Sequence, residues 1–253
     1  PFCLLSKNQK VVIAGAGIIG IACAHYLNEA GFEIVIFDRG RVGGACSRAN
    51  CGYICPSHIS PLTEPGAIGI ALKSVFNRRS PFHLKFRPSP ALWQWMWQFA
   101  KRCTHQQVLD AGRHLQSILD ASMEEYHSLM KLFSSNSEWQ ERGLLYVYES
   151  ERGLDAFAHT DQMLEENFGV SAKRLNGEQL VEMEPGLKEG LAGAFHYPSD
   201  TSLNPESLNK SWVTELKRRG VEFIEECELQ KIEKQNGQLM EIKTSAGDLD
   251  ADH

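Results

Sequence analysis

"VVIAGAGIIGIACAHYL", Val11 to Leu27, together with "NEAGFEIVIFD" as far as Asp38, decides the fold. Val11 to Ala14 is a continuous apolar run, the pattern of a central parallel strand buried on both faces. Gly15-Ala16-Gly17-Ile18-Ile19-Gly20 comes next, then apolar residues at helical spacing through Ile21, Ala24 and Leu27, with Gly31 placed to stop the helix. "FEIVIF" reads as a second strand with Asp38 at its end. The whole is one strand–helix–strand unit.

Each part of that unit has a physical job. Gly15 permits a tight turn, Gly17 lets backbone approach a pyrophosphate without a Cβ in the way, and Gly20 lets the helix sit close to the strand. The helix start then offers unpaired N–H groups and the positive end of its dipole to phosphates. Asp38, twenty-three residues after Gly15, can accept hydrogen bonds from a ribose. Glycines, flanking strands and carboxylate together point to a dinucleotide, against the plainer alternative of a glycine-rich turn with no ligand. "GRVGGACSRANCGYICP", Gly40 to Pro56, continues as a loop of small residues where an ordinary NAD-binding fold would enter a helix. Such a loop can wrap a pyrophosphate and run on toward a flavin ring, so FAD is favoured over NAD.

Those residues carry a resemblance. Gly15-Ala16-Gly17-Ile18-Ile19-Gly20, Asp38-Arg39 and Ala45-x-Ser47-x-x-Asn50-x-Gly52 resemble the FAD-dependent oxidoreductases of the D-amino-acid oxidase class, and within it the D-amino-acid dehydrogenase small-subunit family. "SRANCGYICPSHISPLTEPG", "ALWQWMWQFAKRC" and "AFHYPSDTSLNPESL" extend the likeness along nearly the whole chain. The resemblance implies an α/β fold, a Rossmann-like FAD-binding domain carrying an inserted α+β substrate domain. It implies FAD, with Gly15, Gly17, Ile18, Ile19 and Gly20 around its pyrophosphate, Asp38 on its ribose and Arg39 near the adenosine. Ala45, Ser47, Asn50 and Gly52 would lie along the pyrophosphate and flavin, and Leu229 would present its backbone to the adenine.

The implied reaction is oxidative deamination of a D-amino acid by hydride transfer from Cα to flavin N5, giving a 2-oxo acid and ammonia. Glycine, sarcosine or another secondary amine is the alternative substrate class, and a nucleotide-binding chain without activity is a further reading. An amino-acid substrate and a quinone or respiratory-chain electron acceptor are the implied partners. His58, just past the flavin-side loop, could assist deprotonation because imidazole titrates near neutrality, or be a surface or hydrogen-bonding histidine. No other catalytic acid, base or nucleophile stands out.

The expected domains are 1–76 for the first FAD-binding segment, 77–197 for the inserted domain and 198–253 for the second FAD-binding segment. Within the insert, "SPFHLKFRPSP" reads as a connector, and the apolar positions from Val108 to Phe133 as a long amphipathic helix. "GLLYVYES" reads as a strand, "GLDAFAHTDQMLEENFGV" as a helix, "KRLNGEQLVEMEPGL" as a short helix and "GAFHYPSD" as a strand. "ALWQWMWQFAKRC" fits helix better than strand, and its aromatics suit either a core or interdomain contact or a membrane surface. "NPESLNKSWVTELKRRG" is a helix capped by Asn204 and Pro205, "VEFIEE" a strand, and "LQKIEKQNGQLMEIKTSAG" a hairpin turning at Asn236-Gly237.

The 253 residues are 42% hydrophobic and 23% charged, ordinary for a soluble globular chain. A net charge of −6 gives no basic footprint for nucleic acid. No apolar run approaches a bilayer span, and "PFCLLSKNQK" does not read as an intact signal peptide. The expected location is the cytoplasm, with peripheral contact at the inner face of the membrane left open. Seven scattered cysteines fit a reducing compartment, and the spacing of Cys46, Cys51 and Cys55 is not that of a zinc site, so no metal is expected. "DLDADH" ends the chain where the family continues into the rest of its substrate domain, including its carboxylate-binding arginine, so a fragment or a truncation is expected.

Overall fold

A computed structural model describes residues 9–69, 89–235 and 238–252. Most of the "SPFHLKFRPSP" connector and the Asn236-Gly237 turn lie outside the described residues. In chain order the elements are β1 (Lys10–Ala14), α1 (Ile18–Glu29), β2 (Glu33–Phe37), a 3-10 turn (Ala45–Ser47), β3 (Tyr53–Ile54), α2 (Pro90–Arg102), α3 (His105–Ser137), β4 (Leu144–Tyr148) and α4 (Glu151–Phe168). They continue with β5 (Lys173–Asn176), α5 (Gly177–Met183), β6 (Gly193–Tyr197), β7 (Thr201–Ser202), α6 (Pro205–Arg218), β8 (Glu222–Ile224), β9 (Leu229–Gln235), β10 (Gln238–Thr244) and β11 (Gly247–Leu249). Two compact units result: Pro1–Tyr53, Leu129–Gln140 and Ser202–His253 form the first, Ile54–Ser128 and Glu141–Thr201 the second. The changes of unit fall at residues 53/54, 128/129, 140/141 and 201/202, so the end of α3 belongs to the first unit.

The first unit is built on a parallel sheet ordered β1-β2-β8, with Val12 beside Val35 and Ile36 beside Phe223. β2 is its central strand, and Ile34, Val35, Ile36 and Phe37 are fully buried. β1, expected to be buried on both faces, is only half-buried, because it pairs with β2 alone among the described strands. α1 ends in the pattern that Gly31 dictates. Gly31 takes φ +94, its N–H donates to the Asn28 carbonyl, and the Phe32 N–H reaches back to Leu27. α6 starts as its sequence predicts: the Asn204 side chain accepts from the Ser207 N–H and Pro205 is the first helical residue. Leu208, Trp212 and Leu216, at four-residue spacing, turn its apolar face inward. The buried Trp212 indole N–H donates to His25 Nδ1 on α1, so the polar edge of the ring stays satisfied. β9 and β10 form the expected hairpin, extended by β11.

The second unit has an antiparallel sheet ordered β4-β6-β5. Phe195 and Tyr197 of β6 pack with Leu154, Leu164 and Phe168 of α4 and with Ile59. Ala194, on the other face, packs with Leu180 of α5 and Leu191. "KRLNGEQLVEM" is not one helix: Lys173–Asn176 is a strand paired with β6, and only then does α5 begin, with Asn176 and Gln179 forming a capping box. The Trp-rich segment is helical, but none of its residues is buried. Trp93, Trp95 and Trp97 are 48%, 59% and 59% exposed, which removes the core reading within the described residues.

α6 also carries a charge clamp. The Glu215 carboxylate accepts from Arg218 at 2.7 and 2.8 Å and from Arg219 at 2.7 Å, and Arg219 reaches Glu29 of α1 at 3.1 Å. The hydrogen bonds from Arg218 and Arg219 hold the Glu215 carboxyl at about 2, below its ordinary 4.5. A depressed carboxyl stabilises the fold above its ordinary value, and that contribution is lost as pH falls toward the depressed one. Urea unfolding across the acid range is therefore expected to show stability falling between about 4.5 and about 2, and Glu215→Gln to flatten that part of the curve.

Candidate cofactor site

The glycine turn between β1 and α1 is shaped by what a side chain would strike. A Cβ on Gly20 would lie 1.9 Å from the Gly15 carbonyl oxygen, so the first turn of α1 rests directly on the turn that precedes it. Gly15 takes φ +106, a conformation that favours glycine, and open space lies where its Cβ would be. Its N–H donates to the Phe37 carbonyl at 2.7 Å. Gly17 caps α1 without a side chain, and the first turn of the helix carries no acidic residue of its own. Ile19, in that turn, is 78% exposed.

Asp38 sits where β2 ends and locks the turn. Its Oδ2 accepts from the Ala16 N–H at 2.9 Å and its Oδ1 from the Gly40 N–H at 2.8 Å. A carboxylate has about four acceptor positions, so capacity for a ribose diol remains. Arg39 beside it is exposed. The Cys227 N–H donates to the Asp38 carbonyl at 2.8 Å, which brings the strand start at Leu229 to within two residues of this point.

The loop after Asp38 folds back over the turn. The Gly43 N–H donates to the Ala16 carbonyl at 2.8 Å, and Ser47 Oγ accepts from the Ile18 N–H at 2.9 Å. A Cβ on Gly17 would come to 3.0 Å from that same hydroxyl. Ala45 takes φ +50 at the start of the 3-10 turn. Asn50 folds the loop onto itself: its amide donates to the Cys46 and Ser47 carbonyls and its oxygen accepts from the Gly52 N–H. Gly52 is required by proximity, since its Cβ would stand 2.0 Å from the Leu203 carbonyl oxygen. Asn209, on α6, donates to the Ser47 carbonyl at 2.9 Å and to that of Gly43 at 3.5 Å. Sequence motifs do not name Asn209, but a polar residue beside the Leu208–Trp212–Leu216 stripe is a signal for it.

His58 stands in the second unit. It is exposed, and its Nε2 shares a hydrogen bond with the Tyr146 hydroxyl. Near it, the fully buried Asp200 carboxylate accepts from the Ser57 hydroxyl at 2.6 Å and the Ser57 N–H at 3.1 Å. Burial, with Asp200 adding to it, pushes Tyr146 up to about 12 and the Cys55 thiol likewise to about 12. Both stay protonated at neutral pH, so Cys55 is no thiolate nucleophile and Tyr146 remains a neutral partner of His58. No group of three metal-ligating side chains occurs among the described residues.

A glycine turn, a carboxylate at the end of the next strand and a second loop folded onto both define a dinucleotide-binding α/β unit. A family profile described as "FAD dependent oxidoreductase" matches residues 10–252, and the chain belongs to that family, DAO. It is 28% identical over 250 residues to a D-amino acid dehydrogenase of Neisseria meningitidis, covering 96% of this chain and 59% of the relative. It is 31% identical over 251 residues to a D-amino acid dehydrogenase of Vibrio cholerae, with the same two shares. The chain thus spans 59% of the length of these relatives. The crystal structure of glycine oxidase from Bacillus cereus matches 97% of this chain and 53% of its own, with a TM-score of 0.65 at 18% identity, which is a likeness of fold. The residues fit FAD: a Cβ-free approach at Gly15, amides at the start of α1 and spare acceptor capacity on Asp38 suit a pyrophosphate joined to a ribose.

Gly20→Ala is expected to cost about 3 kcal/mol of stability and to abolish FAD uptake, because the Gly15 carbonyl cannot retreat without opening the turn. Gly17→Ala presses on the Ser47 hydroxyl that accepts from Ile18 and is expected to cost about 1 kcal/mol, less than Gly20→Ala because a side chain can shift where a backbone carbonyl cannot. Thermal unfolding with and without FAD measures both.

Proposed function

We propose that this chain is the FAD-holding part of an enzyme that oxidatively deaminates D-amino acids. The observation that carries the reading is the closure of two nucleotide motifs on one another, through the Ser47–Ile18 and Gly43–Ala16 bonds. Relatives at 28–31% identity named D-amino acid dehydrogenase support the substrate class.

FAD, when bound, supplies the electron acceptance for oxidation of the substrate carbon. The chain's own residues bind and orient. The amides at Ile19 and Gly20 face the pyrophosphate, Ile18 holds the Ser47 hydroxyl at its edge, Asp38 accepts from the ribose, and Arg39 and the Leu229 backbone flank the adenosine. Ala45, Ser47, Asn50 and Gly52 shape the loop leading toward the flavin. His58 would take a proton from the substrate ammonium, so that the amine would be presented to the flavin in its neutral form. Tyr146, protonated at neutral pH, fixes the imidazole through Nε2. The electron acceptor in this reading is a quinone or the respiratory chain.

Reconstitution with FAD, followed by dye reduction with D-amino acids, glycine and sarcosine, tests the substrate. Faster reduction by D-amino acids supports the proposal, and preference for glycine or sarcosine replaces it with the secondary-amine reading. FAD uptake without any reduction leaves a nucleotide-binding chain. In the same assay His58→Gln is expected to lower kcat/KM on the order of 100-fold.

α2 favours a peripheral membrane contact in addition. Leu92, Met96 and Phe99 recur at helical spacing, Trp95 stacks on Phe99 at 5.3 Å, and Trp93 and Trp97 lie one turn apart. The remaining side consists of Gln94, Gln98, Lys101 and Arg102 with no acid, and Lys101 lies 3.5 Å over the Trp97 ring. An exposed apolar stripe rich in tryptophan beside a basic polar side suits an anionic lipid interface. Among the described residues no helix is long and apolar enough to cross a membrane. Co-sedimentation with phosphatidylglycerol vesicles is expected to exceed that with phosphatidylcholine vesicles and to be lost in Trp93→Ala/Trp97→Ala; equal binding by the double variant would refute the contact.

A further inference from the structure

Asn209 is an anomaly in its helix. Leu208, Trp212 and Leu216 are the other buried residues of α6, and Asn209 is 3% exposed among them. A carboxamide withdrawn from water is costly unless its polar atoms find partners. Only half of this one does: Nδ2 donates to the Ser47 and Gly43 carbonyls, while Oδ1 is buried with no partner among the described residues. Packing alone does not account for that choice, since a leucine of nearly the same size would fill the space with no orphaned oxygen. The donor half is therefore the part that the fold uses.

The two carbonyls that it holds belong to the residues that close the loop over the glycine turn. Gly43 donates its N–H to Ala16, and Ser47 offers its hydroxyl to the Ile18 N–H at the start of α1. Gly43 takes φ +68, and a Cβ there would press to 3.0 Å from the Asn209 Cβ, so the loop and this side chain are fitted to each other. A pyrophosphate cradle has to present donors and keep carbonyl oxygens away from the anion. A buried amide that takes up the Ser47 and Gly43 carbonyls does this from the α6 side.

We propose that Asn209 is a positioning residue for the FAD pyrophosphate, holding the Gly43–Ser47 loop with its carbonyls tied to α6 and its Gly43 N–H and Ser47 hydroxyl turned to the glycine turn. The proposal rests on the FAD reading of this unit. Its signature is selective: a ligand with a pyrophosphate depends on Asn209, and one without does not.

The test compares binding of FAD, ADP and adenosine to the wild-type chain, Asn209→Leu and Asn209→Thr, with thermal unfolding of each cofactor-free protein alongside. Asn209→Leu is expected to bind FAD and ADP at least tenfold more weakly, to bind adenosine as wild type does, and to keep its unfolding midpoint. Asn209→Thr, whose hydroxyl retains one donor, is expected to recover most of the loss. If Asn209→Leu does not fold, Asn209→Ala against Asn209→Thr makes the same comparison of donor absent with donor present. Unchanged FAD and ADP binding in Asn209→Leu overturns the proposal and leaves the FAD reading standing. Equal losses for all three ligands, in step with the unfolding midpoint, overturn it in favour of a purely structural role. A wild-type chain that binds neither FAD nor ADP overturns the FAD reading itself, and the proposal with it.

Discussion

The Asp38 carboxylate is the constraint on which the nucleotide-binding unit depends. Its two oxygens hold the N–H groups of Ala16, inside the glycine turn, and Gly40, at the start of the overlying loop. Its own N–H donates to Ile224 of β8, and its carbonyl accepts from Cys227 on the way to β9. One residue thus ties together the ends of three stretches far apart in sequence. Each bond is modest by itself, on the order of 1 kcal/mol for a neutral pair and more to a carboxylate. Their collective effect is geometric. With Ala16 anchored, Gly15 and Gly20 are held in contact, and α1 points its first turn at one region of space.

That architecture was legible where a local pattern matched a tertiary one. The apolar run of β2, the Gly31 stop and the Asn204-Pro205 start each follow from a few neighbouring residues, and the structure has all three. Legibility failed where pairing partners decide. "KRLN" has one apolar residue in four and no alternation that marks a strand, yet it pairs with β6 because Leu175 can lie beside Ala194 in the core. β1 carries the composition of a central strand but has a single partner among the described residues. For the Trp-rich helix, periodicity gives the helix and says nothing of what covers its apolar side.

The site shows the same division. Gly15, Gly17, Gly20 and Asp38 could be assigned to one turn because their spacing is itself the geometry of a strand–turn–helix. Ser47 and Asn50 could be assigned to a loop but not to their bonds, which depend on how that loop closes: Ser47 meets Ile18, and Asn50 binds its own loop. The partners of Asn209 were out of reach for a different reason. They lie more than 160 residues away, and no local rule links an asparagine in a helix to the carbonyls of a distant loop. Asp200, with Ser57 at a comparable separation, is another such long-range pair.

To hold a pyrophosphate, a chain of net charge −6 would have to work against its overall field. The balance is settled locally. The first turn of α1 has no acidic side chain, Gly17 adds none at the cap, and the nearest carboxylate, Asp38, is already hydrogen-bonded to two N–H groups. Backbone amides at a helix start cannot titrate and need little reorganisation to meet an anion. Their strength therefore depends on alignment more than on charge count. On the proposed reading the steric details matter for this reason: the 1.9 Å that a Gly20 Cβ would leave to the Gly15 oxygen, and the two carbonyls gathered by Asn209, would set that alignment. In a site built from dipoles, a side chain that never touches the ligand can govern its affinity by deciding which way a peptide group faces.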